Sequence, residues 1–115
     1  MASVEECEQA LDHLAERLSS VDPDMRRRHR LNRRLSCTVP DLGVIFVGQL
    51  RDGTLHDVSS ASDGTPVEAQ VRLTVASDDL VALTDGRLSF ATAWARGQLK
   101  IEASMMDLLK LRTLL

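Results

Sequence analysis

Residues 77–115, reading SDDLVALTDGRLSFATAWARGQLKIEASMMDLLKLRTLL, constrain the fold most, because every piece of the stretch is punctuated. Ser77 is placed to cap a helix over 78–85. Its hydroxyl takes an orphan amide, Asp78 and Asp79 stand at the positive end of the helix dipole, and Asp85-Gly86 closes the last turn. Ser89 opens a second short helix carrying Phe90, Ala93 and Trp94, and Gly97 ends it, since glycine adopts the left-handed closing conformation without a steric penalty. Polar and apolar residues then alternate over 98–102, which marks a strand with one buried face. Ser104 starts a final helix, with Asp107 placed to complete a capping box. At about 100° per residue, Met105, Met106, Leu108, Leu109, Leu111 and Leu115 fill more than half of that helix's circumference, interrupted by Arg112. One core face needs less. Two readings follow: a well-covered core helix, or a helix on a sheet whose other side meets a second apolar body, namely a helix, a partner chain or a ligand.

A chain of 115 residues has the size of one domain, and 27% charged against 43% apolar residues is the balance of a folded globular protein. Aromatic content is only 3%, with Phe46, Phe90 and Trp94 and no tyrosine, so stacking platforms for nucleic acid are nearly absent and that partner is disfavoured. No apolar run approaches the roughly 20 residues that cross a bilayer, and the acidic, polar start does not read as a signal peptide, so a cytoplasmic location is expected. Cys7 and Cys37 belong to no CxxC or Cys/His cluster and fall on apolar positions, where they read as small buried hydrophobes rather than reactive thiols.

Ahead of the closing stretch, Ser3 and Glu6 form a capping box, and Val4, Cys7, Leu11, Leu14, Leu18 and Val21 recur at helical spacing, predicting an amphipathic helix over about 4–20. Six of the chain's 14 basic residues then crowd into one connector over 25–34: Arg26, Arg27, Arg28, Arg30, Arg33 and Arg34. They read either as a solvated connector pairing with the acidic first helix or as a contact for an anionic surface, a membrane above all. Leu35, Cys37 and Val39 alternate with polar neighbours as a short strand ended by Pro40. Val44, Ile45, Phe46 and Val47 are apolar without alternation, as in a strand covered on both faces or one bordering an apolar cavity. Arg51-Asp52-Gly53-Thr54 is a hairpin turn, 55–58 the returning strand, and Ala69, Val71, Leu73 and Val75 share one face of a fourth. Consecutive strands with helices at both ends predict an α+β layer arrangement, helices packed on one face of a mostly antiparallel sheet.

Catalytic chemistry finds no anchor. His13, His29 and His56 are isolated, no serine sits in a nucleophile elbow, and no glycine-rich loop follows a strand to cradle phosphates, so neither metal nor cofactor is expected and an enzyme is disfavoured. His56 and Asp57 are neighbours on a strand and point to opposite faces, which does not make a base and its orienting acid.

In sequence order, Asp79-Leu80-Val81-Ala82-Leu83 with Gly86, then Ala93, then Gly97-Gln98-Leu99-Lys100-Ile101, then Leu108, Lys110-Leu111 and Leu114 resemble the C-terminal half of the sterol carrier protein type 2 domain. The upstream strands, with Arg51-Asp52-Gly53 at a hairpin, fit the same frame more loosely. The resemblance covers about 35–115, and Ala103-Ser104 depart from it where the family often has glycine. It implies a five-stranded sheet covered by helices, a hydrophobic tunnel between the layers, and binding or transfer of fatty acyl chains, acyl-CoA or sterol-like lipids without catalysis. The over-wide apolar arc of the last helix and the non-alternating strand are what a cavity between layers requires.

On this reading Ile45, Val47, Leu73, Leu83, Phe90, Trp94, Ile101, Met105, Met106 and Leu109 are the candidate lining of the pocket. Methionine adapts to a pliable chain, and burial at about 0.8 kcal/mol per methylene needs shape rather than a chemical motif. The alternative is an accessory interaction module that docks on a partner, or on a second copy of itself, through the apolar last helix.

Overall fold

Alternating apolar residues build the sheet, and capping signals place the helices that cover it. The structure, a computed structural model, describes residues 1–19, 32–51, 54–62, 64–65 and 67–114, with the backbone alone at 17–19, 54 and 110–114. Helix α1 (Val4–Ser19) is followed by strand β1 (Arg33–Val39), a 3-10 turn (Pro40–Leu42), β2 (Val44–Arg51), β3 (Thr54–Ser62) and β4 (Val71–Val75). Helices α2 (Ser77–Asp85) and α3 (Phe90–Ala95), strand β5 (Leu99–Glu102) and helix α4 (Met105–Leu114) complete the chain. The five strands form one sheet in the order β3-β2-β1-β4-β5. Only the central β1·β4 pair is parallel, and the other three pairs are antiparallel. The architecture is the α+β arrangement expected from the sequence.

Register decides which side chains share a face. Cys37 lies opposite Phe46 on β2 and Leu73 on β4, and Leu73 lies opposite Ile101 on β5. Leu35, Val39, Leu50, Val71, Val75 and Leu99 therefore project to the same side, where they join Cys7, Ala10 and Leu11 of α1, Leu80 and Leu83 of α2 and Ala93 of α3 in one buried core. Helix α1 packs against α2 and β3. Its start is the expected capping box: Glu6 N–H donates to Ser3 Oγ at 3.1 Å and Ser3 N–H to Glu6 Oε1 at 3.2 Å. Gly86 and Gly97 end α2 and α3 with φ of 87° and 76°, the left-handed region their sequence positions called for. Both cysteines are buried, which pushes the Cys7 thiol up to about 11 and Cys37 to about 12.

Three local expectations change. Strand β1 begins at Arg33, so Arg33 and Arg34 belong to the sheet rather than to the connector, because backbone pairing with Leu50 and Gln49 extends the strand beyond its apolar alternation. Val44 and Phe46 lie on the core face while Ile45, 8% exposed, is buried on the opposite one, so the apolar run 44–47 is covered on both sides. Ser77 is not the cap of α2: Ala76 holds that position, and Ser77 is the first helical residue and fully buried. The cap comes from 36 residues upstream. Asp41 Oδ1 accepts the Ser77 N–H at 3.0 Å, Asp41 Oδ2 accepts the Ser77 hydroxyl, and Ser77 Oγ accepts the Ala2 N–H at 3.0 Å. One carboxylate thus joins the 3-10 turn, the start of α2 and the start of the chain.

Those Ser77 hydrogen bonds hold the Asp41 carboxyl below the usual carboxylate range. A carboxyl whose folded value is depressed stabilises the fold above its unfolded value of about 3.9, and that contribution is lost as pH falls through the lower folded value. Asp41→Asn is therefore expected to lower the melting temperature at pH 7 and to flatten the loss of stability below about pH 4. Thermal unfolding from pH 7 to 2 checks this, and parallel acid profiles for the two proteins would contradict it.

Candidate functional site at the open end of the core face

The helices seal the core face unevenly. Over β1 and β2 the described part of the face is largely closed: beneath α1, Leu11, Leu35, Cys37, Phe46, Val47, Gly48, Leu55 and Val58 line a void of only about 10 Å³, which is at most the room of one water. Over β4 and β5 it is not, because the cross-strand partners Leu73 and Ile101 are only partly buried although they share the face of the sealed Val75 and Leu99. Helix α3 reaches this end through Ala93 and the partly buried Phe90, while Trp94 is 38% exposed. Ser89 fixes the pose of α3, its Oγ accepting the Thr92 N–H at 3.1 Å.

Helix α4 departs most from its sequence reading. Among its described side chains the exposed ones are Met105 at 75%, Met106 at 65% and Leu109 at 57%, whereas the Asp107 side chain, about 200° round the helix from Met105, is 4% exposed. Ser104 Oγ does accept the Asp107 N–H at 3.2 Å, but the Asp107 carboxylate does not close the capping box. Instead Oδ2 accepts from Arg33 Nε at 2.9 Å, 74 residues upstream at the start of β1. This ion pair ties the last helix to the core face, since Arg33 lies opposite the buried Leu50.

Of the ten candidate lining residues, the structure brings Leu73 and Ile101 together, with Phe90 and Trp94 on the adjacent α3. Leu83 lies in the closed core, 1% exposed. Ile45 and Val47 take register positions on the opposite face of the sheet, alternating with Phe46, although Val47, beside the β2–β3 register shift, also borders the small void beneath α1. Met105, Met106 and Leu109 form the outer side of α4. Among the arginines, Arg26, Arg27, Arg28 and Arg30 lie outside the described residues, Arg33 is held by Asp107, and Arg34 is exposed. Arg34 lines a polar groove of about 390 Å³ with Glu68, Gln70 and Arg72. A second groove, of about 220 Å³ between Asp41, Thr74, Gln98 and Lys100, takes in none of the ten residues. Asp57 bonds Arg51 at 3.1 Å from a strand bulge with φ of 54°, so its carboxylate is engaged away from His56. Among the described residues no three histidine, cysteine, aspartate or glutamate side chains gather as a metal site, and no helix is long and apolar enough to cross a membrane.

A family model described as the SCP-2 sterol transfer family matches residues 11–115. The chain belongs to this family. Solved SCP-2 structures share its fold: a sterol carrier protein 2 crystal structure superposes with a TM-score of 0.66 at 17% identity, covering 92% of this chain and 87% of the other. The palmitated SCP2L2 of Aedes aegypti gives a TM-score of 0.61 at 19% identity, covering 97% and 92%. The sec-alkylsulfatase Pisa1 from Pseudomonas sp. gives 0.58 at 24% identity. That match takes in 89% of this chain but only 15% of the sulfatase, so the likeness is to one small part of an enzyme. No curated protein sequence matches the chain. Within the SCP-2 frame, the buried acid of α4 and its arginine are what sequence reasoning missed. A single aspartate inside the run 105–109 was the available signal, and it had been absorbed by the capping box.

Breaking the ion pair from the arginine side leaves a buried carboxylate without its cation. Arg33→Ala is expected to cost about 1–3 kcal/mol and to speed amide exchange in α4 ahead of the sheet. Urea denaturation with hydrogen exchange checks this, and uniform exchange across the chain would contradict it.

Proposed function

We propose that this chain binds or transfers a hydrophobic ligand, a fatty acyl chain, acyl-CoA or sterol-like lipid, at the open β4–β5 end of its core face, and that it does so without catalysis. One observation carries the reading: Leu73 and Ile101, side by side across β4 and β5, are only partly buried although Val71, Val75 and Leu99 on the same strands are sealed. An apolar floor left open beside α3 and α4 gains free energy when hydrocarbon covers it, at about 0.8 kcal/mol per methylene buried. Membership of a sterol transfer family supports this, as does the fold shared with a palmitated relative. Helix α4, tied to β1 by the ion pair of Arg33 and Asp107, is the element that shifts to admit the chain. Arg26, Arg27, Arg28, Arg30 and Arg34 supply the contact with anionic membrane surfaces during pick-up and delivery.

Displacement of a fluorescent fatty acid tests the site. Ile101→Lys and Leu73→Trp are expected to weaken binding about tenfold or more, one by placing a charge and the other by filling the floor. Val47→Thr, on the opposite face, is expected to change it less than about twofold. Absence of saturable binding, or an equal loss in all three variants, would overturn the assignment.

A further inference from the structure

The apolar side chains of α4 are turned to the wrong side for a core helix. Met105, Met106 and Leu109 are 75%, 65% and 57% exposed, and at about 100° per residue they share an arc of about 100°. The buried Asp107 stands almost opposite the middle of that arc, and Leu108, the next residue, is half-buried. A compact run of exposed apolar side chains is unfavourable in water and marks a surface that something covers. Two of the three are methionines, whose flexible side chains suit a yielding partner better than a fixed one.

Asp107 fixes what lies behind this face. Its carboxylate holds Arg33 at 2.9 Å, so the back of α4 rests on the residue that opens β1 and belongs to the arginine-rich segment 26–34. Arg33 gives Nε to Asp107 and Nη1 to the Asn32 carbonyl at 2.8 Å, while its side chain stays 36% exposed. Arg34, next on the strand, is exposed, and its guanidinium makes no bond among the described residues. Arg26, Arg27, Arg28 and Arg30 precede them in the sequence. An exposed apolar face and a concentration of positive charge therefore meet at one helix, in a chain whose formal net charge is −3.

Resting on the lipid-carrier reading above, we infer that the outer side of α4 is the face by which the protein enters an anionic bilayer: Met105, Met106 and Leu109 insert among the lipids, and Arg33 and Arg34 meet the phosphates. A helix lying in a membrane interface sinks its apolar side about 5–10 Å. In a helix about 10–12 Å across, that depth leaves the phosphates level with its back, where Arg33 is. The acidic remainder of the chain is repelled by the same surface, which selects this orientation. A second copy of the chain fits less well. Three side chains fall well short of the roughly 800 Å² per partner of a stable interface, and two arginine-bearing faces repel one another. The helix that shifts to admit a ligand is then the helix that the membrane grips.

The test is co-sedimentation of the whole chain with vesicles of phosphatidylcholine containing phosphatidylglycerol and of phosphatidylcholine alone, at low and high salt. The wild type is expected to bind the anionic vesicles about tenfold or more tightly than the neutral ones, and high salt is expected to remove the difference. Met105→Ser, Met106→Ser and Leu109→Ser together are expected to weaken anionic-vesicle binding about tenfold or more, while affinity for a fluorescent fatty acid in solution changes less than about twofold. An environment-sensitive fluorophore on Met106→Cys is expected to shift to the blue with anionic vesicles, and one on Glu8→Cys of α1 is not. Cys7 and Cys37 are buried and stay unlabelled. If the serine variant fails to fold, the two labelled proteins decide. Equal vesicle binding by wild type and serine variant, equal shifts at the two labels, indifference to vesicle charge, or no vesicle binding overturns the assignment of α4 and leaves the carrier reading standing. Lipid-free dimerisation in light scattering that the serine variant abolishes gives the face to a second copy and overturns it as well. If the fatty acid never binds and the vesicles still take up α4, the carrier reading fails and the docking face stands.

Discussion

A five-stranded sheet with one apolar face has to be covered by helices that arrive from both ends of the chain, and the molecule is shaped by how far that cover extends. Helix α1, packed on α2 and β3, covers the face over β1 and β2 and leaves beneath it a void with room for at most one water. What remains for α3 is the β4–β5 end, to which it contributes Ala93 and part of Phe90, while α4, tied to the start of β1, turns an acid rather than its methionines inward. The site is therefore what is left over when one face outruns its cover. A tight hydrophobic core and an unfinished one coexist on the same strands, since Val75 and Leu99 are sealed two residues along from the partly buried Leu73 and Ile101.

Two carboxylates set the positions of the covering helices, and both act over long sequence separations. Asp41 meets the backbone and hydroxyl of Ser77, fixing where α2 leaves the end of β4. Asp107 meets Arg33, fixing where α4 ends up after β5. Apolar packing fills volume without choosing a single orientation, whereas a hydrogen-bonded acid specifies one, and a buried acid that lost its partner would be costly. A polar choice of orientation on a helix as apolar as α4 explains how Met105 and Met106 come to face outward.

Much of this was legible in the sequence, because the signals that set element boundaries are local. The Ser3–Glu6 capping box, the cap at Ser89 and the left-handed Gly86 and Gly97 are read from residues at most four apart, and each stands where the pattern put it. Strands β1, β4 and β5 followed from alternation, β2 from its unbroken apolar run and β3 from the turn before it, and the family followed from the order of motifs along 79–114. What was not legible is orientation. A helical wheel gives an arc and does not say which side faces in, so the apolar arc of 105–115 could not reveal that Asp107 is buried. The deciding partner, Arg33, lies 74 residues away and looked like one more arginine of a basic connector. Ile45 and Val47 were grouped with Leu73 because all are apolar, yet strand register, which depends on neighbouring strands, places them on opposite faces. Ser77 looked like a cap for want of any local hint that Asp41 would take that role.

The account stands or falls on where a bound chain lies. Intermolecular nuclear Overhauser contacts between the methylenes of a bound lipid and the side chains of the isotope-labelled protein measure this directly. Contacts to the methyl groups of Leu73 and Ile101 and to the ring of Phe90, with none to Ile45 or Val47, are the predicted result. Contacts confined to Met105, Met106 and Leu109 on the outer side of α4, or reaching Ile45 and Val47 on the far face of the sheet, would contradict it.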